Sequence, residues 1–219
     1  MAIVTSIIGK SGSGKSSSFK GLKNKDEVLI IKPSGKPFPF KGGIFKPWDK
    51  DKKEGQVVQT NDATFAVAAM QKLVKENGKK LIIIEDSTFF MTDYFMKTAL
   101  EKGFDKFNQL ALLYFNLIKG AEALPDDVRV YLINHIEDGA DGYQKVKTIG
   151  KLLDEKIDIP SLLTIVLSAT VVDGKHMFQT NKRSNMDIAK SPQEMFSSEY
   201  IPNDLQAVDD AIKDYYEIK

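Results

Sequence analysis

Cysteine is absent from the 219 residues, which excludes disulfides and thiolate metal sites and fits a reducing compartment. Histidine occurs only as His135 and His176, too few for a His-based zinc site. Arginine is equally scarce, with Arg129 and Arg183 set against many lysines. No apolar run approaches the length of a membrane span, so no membrane partner is expected. The chain enters an apolar, strand-like run almost at once, so no signal peptide is expected and a cytoplasmic location is. The formal net charge of +1 supplies no global basic field, so any nucleic-acid contact must come from local clusters. The length suits one α/β domain over 1–219 with a substantial core.

What the chain does have begins at residue 9. After the run Ala2 to Ile8 it reads GKSGSGKS, so Gly9, Gly14, Lys15 and Ser16 satisfy the phosphate-loop spacing G-x-x-x-x-G-K-[ST]. Glycines let successive backbone N–H groups point at phosphate oxygens. Lys15 is expected between the β- and γ-phosphates and the Ser16 hydroxyl on Mg²⁺. Gly9, Lys10, Ser11, Gly12, Ser13, Gly14, Lys15, Ser16 and Ser17 are therefore the candidate ATP-binding residues. The stretch Ser16 to Leu22 is expected to open a helix whose positive end faces the anion. The plain alternative is a flexible Gly/Ser loop that matches by accident. Lys10 is open between a solvated loop residue and one that reaches across a subunit interface.

Strand and helix patterns alternate from there. EVLIIK (27–32) reads as a buried strand, and 33–56 as a long loop rich in Pro, Gly, Lys and aromatics. Residues 60–80 carry caps at Thr60, Asn61 and Asp62, helical apolar spacing, and a stop at Gly78. LIIIED (81–86) is a central strand; helical patterns cover roughly 91–102 and 104–122; VRVYLIN (128–134) is a strand. Residues 135–156 read as a polar loop leading into a short helix, 162–181 as a hairpin turning at Asp173-Gly174, and 203–219 as a C-terminal helical segment. The order predicts a mostly parallel sheet flanked by helices, with a mixed edge at the late hairpin.

LIIIED ends in two acids, Glu85 and Asp86. Such carboxylates at a strand end are what a phosphate-loop enzyme needs to hold Mg²⁺ and activate water. Counting four apolar residues and then an acid makes Glu85 the metal-side group and Asp86 the water-side group, with the reverse also open because neighbours on a strand face opposite ways. Ser16, Glu85 and Asp86 are thus the candidate Mg²⁺ residues. Asn134 and His135 close the next strand and are expected at the same crevice, facing the γ-phosphate. A structural histidine is the alternative.

GKSGSGKSSS, KPFPFKGG, LIIIEDSTFFMTDYFM, VRVYLINHIED, TIGKLLDEK and AKSPQEMF…IPNDL together resemble bacteriophage nucleotide-binding ATPases with a compact RecA-type core, the single-strand-annealing recombinase group distantly related to RecA and UvsX. The resemblance runs from Ile3 to Tyr216. It implies a RecA-like P-loop ATPase using ATP and Mg²⁺, self-assembly into a homo-oligomer, and work on single-stranded DNA in recombination or replication. A single-strand-binding protein or other phage replication proteins would be partners, in the host cytoplasm. Two departures stand out. This chain has Glu85-Asp86 where the family usually shows two aspartates. Where RecA carries its catalytic glutamate, this chain has Lys32-Pro33, which leaves Asp86 as the base by default.

The arginine shortage bears on the alternatives. A small-molecule P-loop kinase commonly clamps phosphates with several arginines, and two cannot furnish that easily. A kinase for a nucleotide or small acceptor is the first alternative, and a nucleotide-dependent assembly switch without DNA the second. In an assembling ATPase a neighbour's cation completes the site, and the resemblance places Lys182 and Arg183 in the region that supplies it; a solvated loop is the other reading. For DNA, Lys32, Lys36, Lys41, Lys46 and Lys50 interleave with Phe38, Phe40, Phe45 and Trp48, and Lys145, Lys147 and Lys151 form a second cluster. The competing reading packs those aromatics on the core and leaves the lysines solvated.

Overall fold

The computed structural model describes residues 1–139, 142–184 and 186–218. Ala140 and Asp141 of the expected 135–156 loop, Asn185 of the segment after the hairpin, and Lys219 of the C-terminal segment lie outside the described residues. The strands are β1 (Ile3–Gly9), β2 (Val28–Lys32), β3 (Val57–Gln59), β4 (Leu81–Ile84), β5 (Arg129–Asp138), β6 (Gln144–Val146), β7 (Ile165–Val172), β8 (Lys175–Gln179) and β9 (Tyr200–Pro202). The helices are α1 (Ala63–Asn77), α2 (Phe89–Lys97), α3 (Asp105–Glu122) and α4 (Leu205–Tyr215).

Eight strands pair in the order β3-β2-β4-β5-β1-β7-β8-β9, and β6 pairs with the far end of β5. All pairs from β3 to β7 are parallel, while β8 and β9 run antiparallel at the edge. The expected parallel sheet with a mixed edge is therefore present, and the hairpin turns at Asp173-Gly174. The long 33–56 loop is partly ordered by bridges of Pro47 to Val57 and Asp49 to Glu54. Strands β3, β6 and β9 are too short to show a period in the sequence.

Both faces of the sheet are buried, and the strands alternate between two cores as a two-residue repeat demands. Val4, Leu29, Ile31, Ile82, Ile84, Val130 and Leu132 face the core capped by α1, α2 and α3. Ile7, Val28, Ile30, Ile83, Tyr131, Ile133 and Leu167 face the other, with Phe19, Phe45 and α4 residues Leu205, Val208 and Ile212. Asp62 caps α1 by accepting from the backbone N–H groups of Thr64 and Phe65, and Gly78 ends it in the left-handed conformation. Arg129 and Asp209 form a buried pair at 2.9 Å that fastens α4 beneath β5, with the Tyr131 hydroxyl donating to the same carboxylate at 2.6 Å. Among the described residues no helix is long and apolar enough to cross a membrane.

Two local expectations fail. Residues 135–138 and 144–146, expected within a polar loop, extend β5 and form β6. The segment after the phosphate-loop motif is only a short 3₁₀ turn, Ser16–Gly21, not an α-helix. Three consecutive serines favour turns over helix, and Gly21 with Asn24 stops the segment before a second α-turn can form.

The chain path defines a crevice. The connection from β1 leads over one face toward β2, and that from β5 leads over the other toward β7. Adjacent strands whose continuations part in this way leave an opening at their carboxyl ends, where ligands of open α/β sheets bind. Gly9 and His135 are register partners at that opening.

Candidate nucleotide site

A cleft of about 580 Å³ lies at the crevice, lined by Ser11, Gly12, Gly14, Lys15, Ser16, Ser17, Lys36, Pro37, Pro39, Glu85, Asp86, His135 and His176. Strand ends β1, β4 and β5 deliver Lys15, the two acids and His135 to it. The fold thus brings together residues far apart in the chain, His135 and Lys15 at a separation of 120 and His176 and Ser13 at 163.

Two glycines shape the loop. A Cβ on Gly9 would stand 2.5 Å from the Ser13 hydroxyl and 2.6 Å from the Ala169 carbonyl oxygen, so only glycine fits beneath the curled loop. Gly14 has φ +98° and is crowded by Asn203 and His176. Those two side chains clasp the loop from the late part of the chain: Asn203 donates to the Gly14 carbonyl at 2.9 Å, and His176 Nδ1 is 3.0 Å from the Ser13 carbonyl oxygen. Neither residue is assigned a role by the sequence: Asn203 lies within IPNDL and His176 within the hairpin, and each reaches the loop carbonyls only through folding.

Lys15 is buried and donates to the carbonyls of its own loop, Gly9 at 2.7 Å and Lys10 at 2.9 Å. Burial lowers its pKa to about 8, against the Asp86 carboxylate and with the help of Lys36. Its Nζ is also 3.5 Å from His135 Nδ1, while His135 Nε2 is 3.1 Å from Asp86 Oδ1. An ammonium has only hydrogens to offer, so Nδ1 faces it with its lone pair and Nε2 carries the proton donated to Asp86. The three side chains form one line, from the phosphate loop to the acid.

The two acids are held differently. Asp86 sits at φ +48°, outside the strand, which turns its carboxylate toward His135 and Lys36. Burial alone would raise its pKa, but the hydrogen bond from His135 and the charges of Lys36 and Lys15 prevail and hold it below the usual value. Glu85 goes the other way. Burial raises it to about 7, only partly offset by a hydrogen bond from Ser16 and by Lys32 and Lys36, while the Asp86 charge adds to the rise.

Glu85 Oε2 is buried without a hydrogen-bond partner. A buried carboxylate oxygen left unpaired beside the Ser16 hydroxyl fits Mg²⁺, which takes one or two protein oxygens and completes its shell with phosphate and water. Among the described residues no group of three acidic or histidine side chains makes a metal cage, so the nucleotide would supply the rest. Ser16 and Glu85 are the residues that would hold the ion, and Asp86 is the second carboxylate beside them.

Asn134 does not face the cleft as expected. Consecutive strand residues point to opposite faces, so with His135 in the crevice Asn134 turns into the core. There it donates to Ser6 at 2.9 Å and accepts from the Tyr114 hydroxyl at 2.9 Å and from Ser87. This buried network ties β1, β5, α3 and the segment after the acids together.

Other sequence candidates lie away from the cleft. Lys10 is exposed and pairs with Asp138 at 2.6 Å in the same chain. Arg183 is exposed, 2.7 Å from Glu199 and 3.1 Å from the Tyr200 hydroxyl, so any contact with the cleft requires a second copy. Phe38, Phe40 and Phe45 gather around Phe19, with centroids 5.7 to 6.1 Å from it, which favours the packed reading of these rings over free stacking faces. Trp48 is half-buried under the Lys79 ammonium at 5.3 Å. Lys32 is buried and bonds the carbonyls of Ser34 and Lys36, so it is not a surface cation. Lys41 and Lys147 are exposed, whereas Lys145 is paired with Asp154 and Glu137.

No protein-family model matches the chain, and no curated protein matches it.

Proposed function

We propose that the chain is a Mg²⁺-dependent ATPase of the RecA-like P-loop class that acts on single-stranded DNA as part of a homo-oligomer. The observation that carries the nucleotide reading is the line Lys15–His135–Asp86 at the mouth of the loop, with Ser16 and Glu85 beside it. The four residue types that phosphoryl transfer requires (a backbone cradle, a lysine, a metal pair and a water-orienting acid) converge on one cleft.

The loop N–H groups of 10–16 would receive the β-phosphate, and Lys15 would exchange its loop carbonyls for phosphate oxygens. Mg²⁺, when bound, neutralises charge on the β- and γ-oxygens. Asp86, kept ionised by His135 and the nearby lysines, orients a water at the terminal phosphorus and accepts its proton as the new P–O bond forms. The bond from that phosphorus to the β–γ bridging oxygen breaks, giving ADP and phosphate. His135 holds the carboxylate in place through its Nε2–H.

The DNA part of the reading rests on the resemblance and on the exposed cations Lys41, Lys46, Lys50 and Lys147. Self-assembly and cooperation with phage recombination or replication proteins rest on the resemblance alone. The test is ATP hydrolysis with and without single-stranded DNA, using Lys15→Ala as background. Stimulation by DNA supports the full reading. Hydrolysis indifferent to DNA leaves an ATPase without that partner, and equal hydrolysis by Lys15→Ala removes the loop from the chemistry.

A further inference from the structure

The segment KPFPF, residues 36–40, forms a strap over the nucleotide cleft with a strict two-residue repeat. Pro37 and Pro39 line the cleft, while Phe38 and Phe40 point away from it and stack on each other at 5.1 Å and 6°. Both rings meet Phe19 edge-on at 5.8 and 5.7 Å. Phe19 belongs to the turn that directly follows the phosphate loop, so the strap is fastened to the loop it covers.

The first residue of the strap has a fixed base and a free arm. The buried Lys32 ammonium, at the end of β2, grips the Lys36 carbonyl and the Ser34 carbonyl, and sits 5.3 Å over the Phe38 ring. The Lys36 side chain itself is 65% exposed, reaching over the Phe89 ring at 5.5 Å to within 3.8 Å of Asp86 Oδ2. That pairing is long and its ammonium is solvated, and Asp86 keeps its His135 partner when Lys36 moves, so the contact is easily exchanged. Lys36 therefore stands opposite Lys15 across the acids, with its backbone anchored and its ammonium available.

We propose that Lys36 is a ligand of the terminal phosphate, a second cation supplied in cis by the strap to the same site as Lys15. The inference rests on the ATPase reading and assigns one of its residues a new role. It also answers the arginine shortage: a triphosphate carries more charge than Lys15 offsets, and this cation comes from the same chain, whereas Arg183 is held by Glu199 and Tyr200 outside the cleft. Because only the triphosphate reaches it, Lys36 discriminates ATP from ADP.

The test is calorimetric titration of the full chain with Mg²⁺ and either ADP or the non-hydrolysable imido analogue of ATP. Wild type, Lys36→Gln, Lys36→Arg and Lys15→Ala are compared, with thermal melts confirming that each is folded. Lys36→Gln should weaken the triphosphate analogue about tenfold, as a lost charge-assisted hydrogen bond does, and leave ADP within about twofold. Lys36→Arg should restore most of the difference. Equal losses for both nucleotides, or none for either, would overturn the proposal. So would a Lys36→Gln protein that keeps its nucleotide preference but binds an oligo-dT strand less well, which would place Lys36 on DNA. If wild type binds neither nucleotide, the ATPase reading fails and takes the inference with it. If wild type binds and Lys15→Ala does not, that reading stands and Lys36→Gln alone decides.

Discussion

His135 Nε2 lies 3.1 Å from Asp86 Oδ1, and the opposite nitrogen of the same ring faces the Lys15 ammonium. One imidazole therefore touches both the cation proposed to bind phosphate and the acid proposed to orient water. The arrangement follows from strand order. β5 lies between β1, which carries the phosphate loop, and β4, which carries the acids, so the end of β5 is the one place that reaches both. His135→Gln keeps a polar group but loses the ring that spans the gap. It should lower the rate of ATP turnover about 10² -fold, within the range of lost acid–base assistance, with nucleotide affinity changed by less than about threefold. Steady-state hydrolysis together with calorimetric binding separates the two. An equal fall in affinity and rate would instead make His135 a binding residue.

Glu85 gives a pH prediction for the metal-free protein. Its carboxyl is raised from 4.5 to about 7 in the folded chain, chiefly by burial. Between those values the folded state holds a proton that the unfolded state has released, so stability falls as pH rises through that window. Glu85→Gln has no charge to bury and should escape the fall. With a chelator present, the variant should exceed wild type by about 3 kcal/mol in urea unfolding at pH 8, the gap narrowing toward pH 4.5. A gap that stays constant across this range would show that burial does not perturb Glu85. The same substitution should abolish Mg²⁺-dependent turnover, the common cost of a strained functional group.

The buried network around Asn134 should matter for stability. Asn134→Ala leaves Ser6, Ser87 and Tyr114 without the amide that joins them, inside a core where water cannot substitute. The expected loss is about 2–3 kcal/mol, larger than a single exposed hydrogen bond would give. Chemical denaturation measures it directly. A loss well below about 1 kcal/mol would mean that the core relaxes around the gap.

Much of this arrangement was legible before folding, and the parts that were not share a cause. Strands β2 and β4 are continuous apolar runs and β1, β5 and β7 are predominantly apolar in their buried stretches, because a sheet covered on both faces demands it. The phosphate loop and LIIIED are local patterns whose residue types carry their chemistry with them. Asn134 and His135 part because β5 continues through both to Asp138, so alternation sends them to opposite faces; an end of the strand at residue 134 would have left both at the crevice. The rings of KPFPF were ambiguous because their partner, Phe19, lies about twenty residues earlier. The motif after Lys15 normally opens a helix, but the weak helix preference of Ser16 to Ser18 leaves only a short 3₁₀ turn.

The clasp on the phosphate loop was wholly invisible in sequence and yields the last prediction. Asn203 and His176 come from the region around β8 and β9, more than 160 residues beyond the carbonyls they hold. They grip the carbonyls of Ser13 and Gly14, and so fix the peptide planes whose N–H groups point the opposite way, as the proposed anion cradle requires. Asn203→Ala should therefore weaken ADP binding about three- to tenfold through a loosened cradle, the scale of one buried hydrogen bond. Because Asn203 is only half-buried and outside the core, the melting temperature should shift by no more than a few degrees. Gly14→Ala should do more harm, since its methyl would strike both clasping side chains in a left-handed backbone. Combining Gly14→Ala with Asn203→Ala relieves part of the clash. The double variant should consequently bind ADP better than Gly14→Ala alone, a sign reversal that independent defects would not produce. Calorimetry on the four proteins of that cycle measures the coupling, and simple additivity would show that the clasp does not hold the loop.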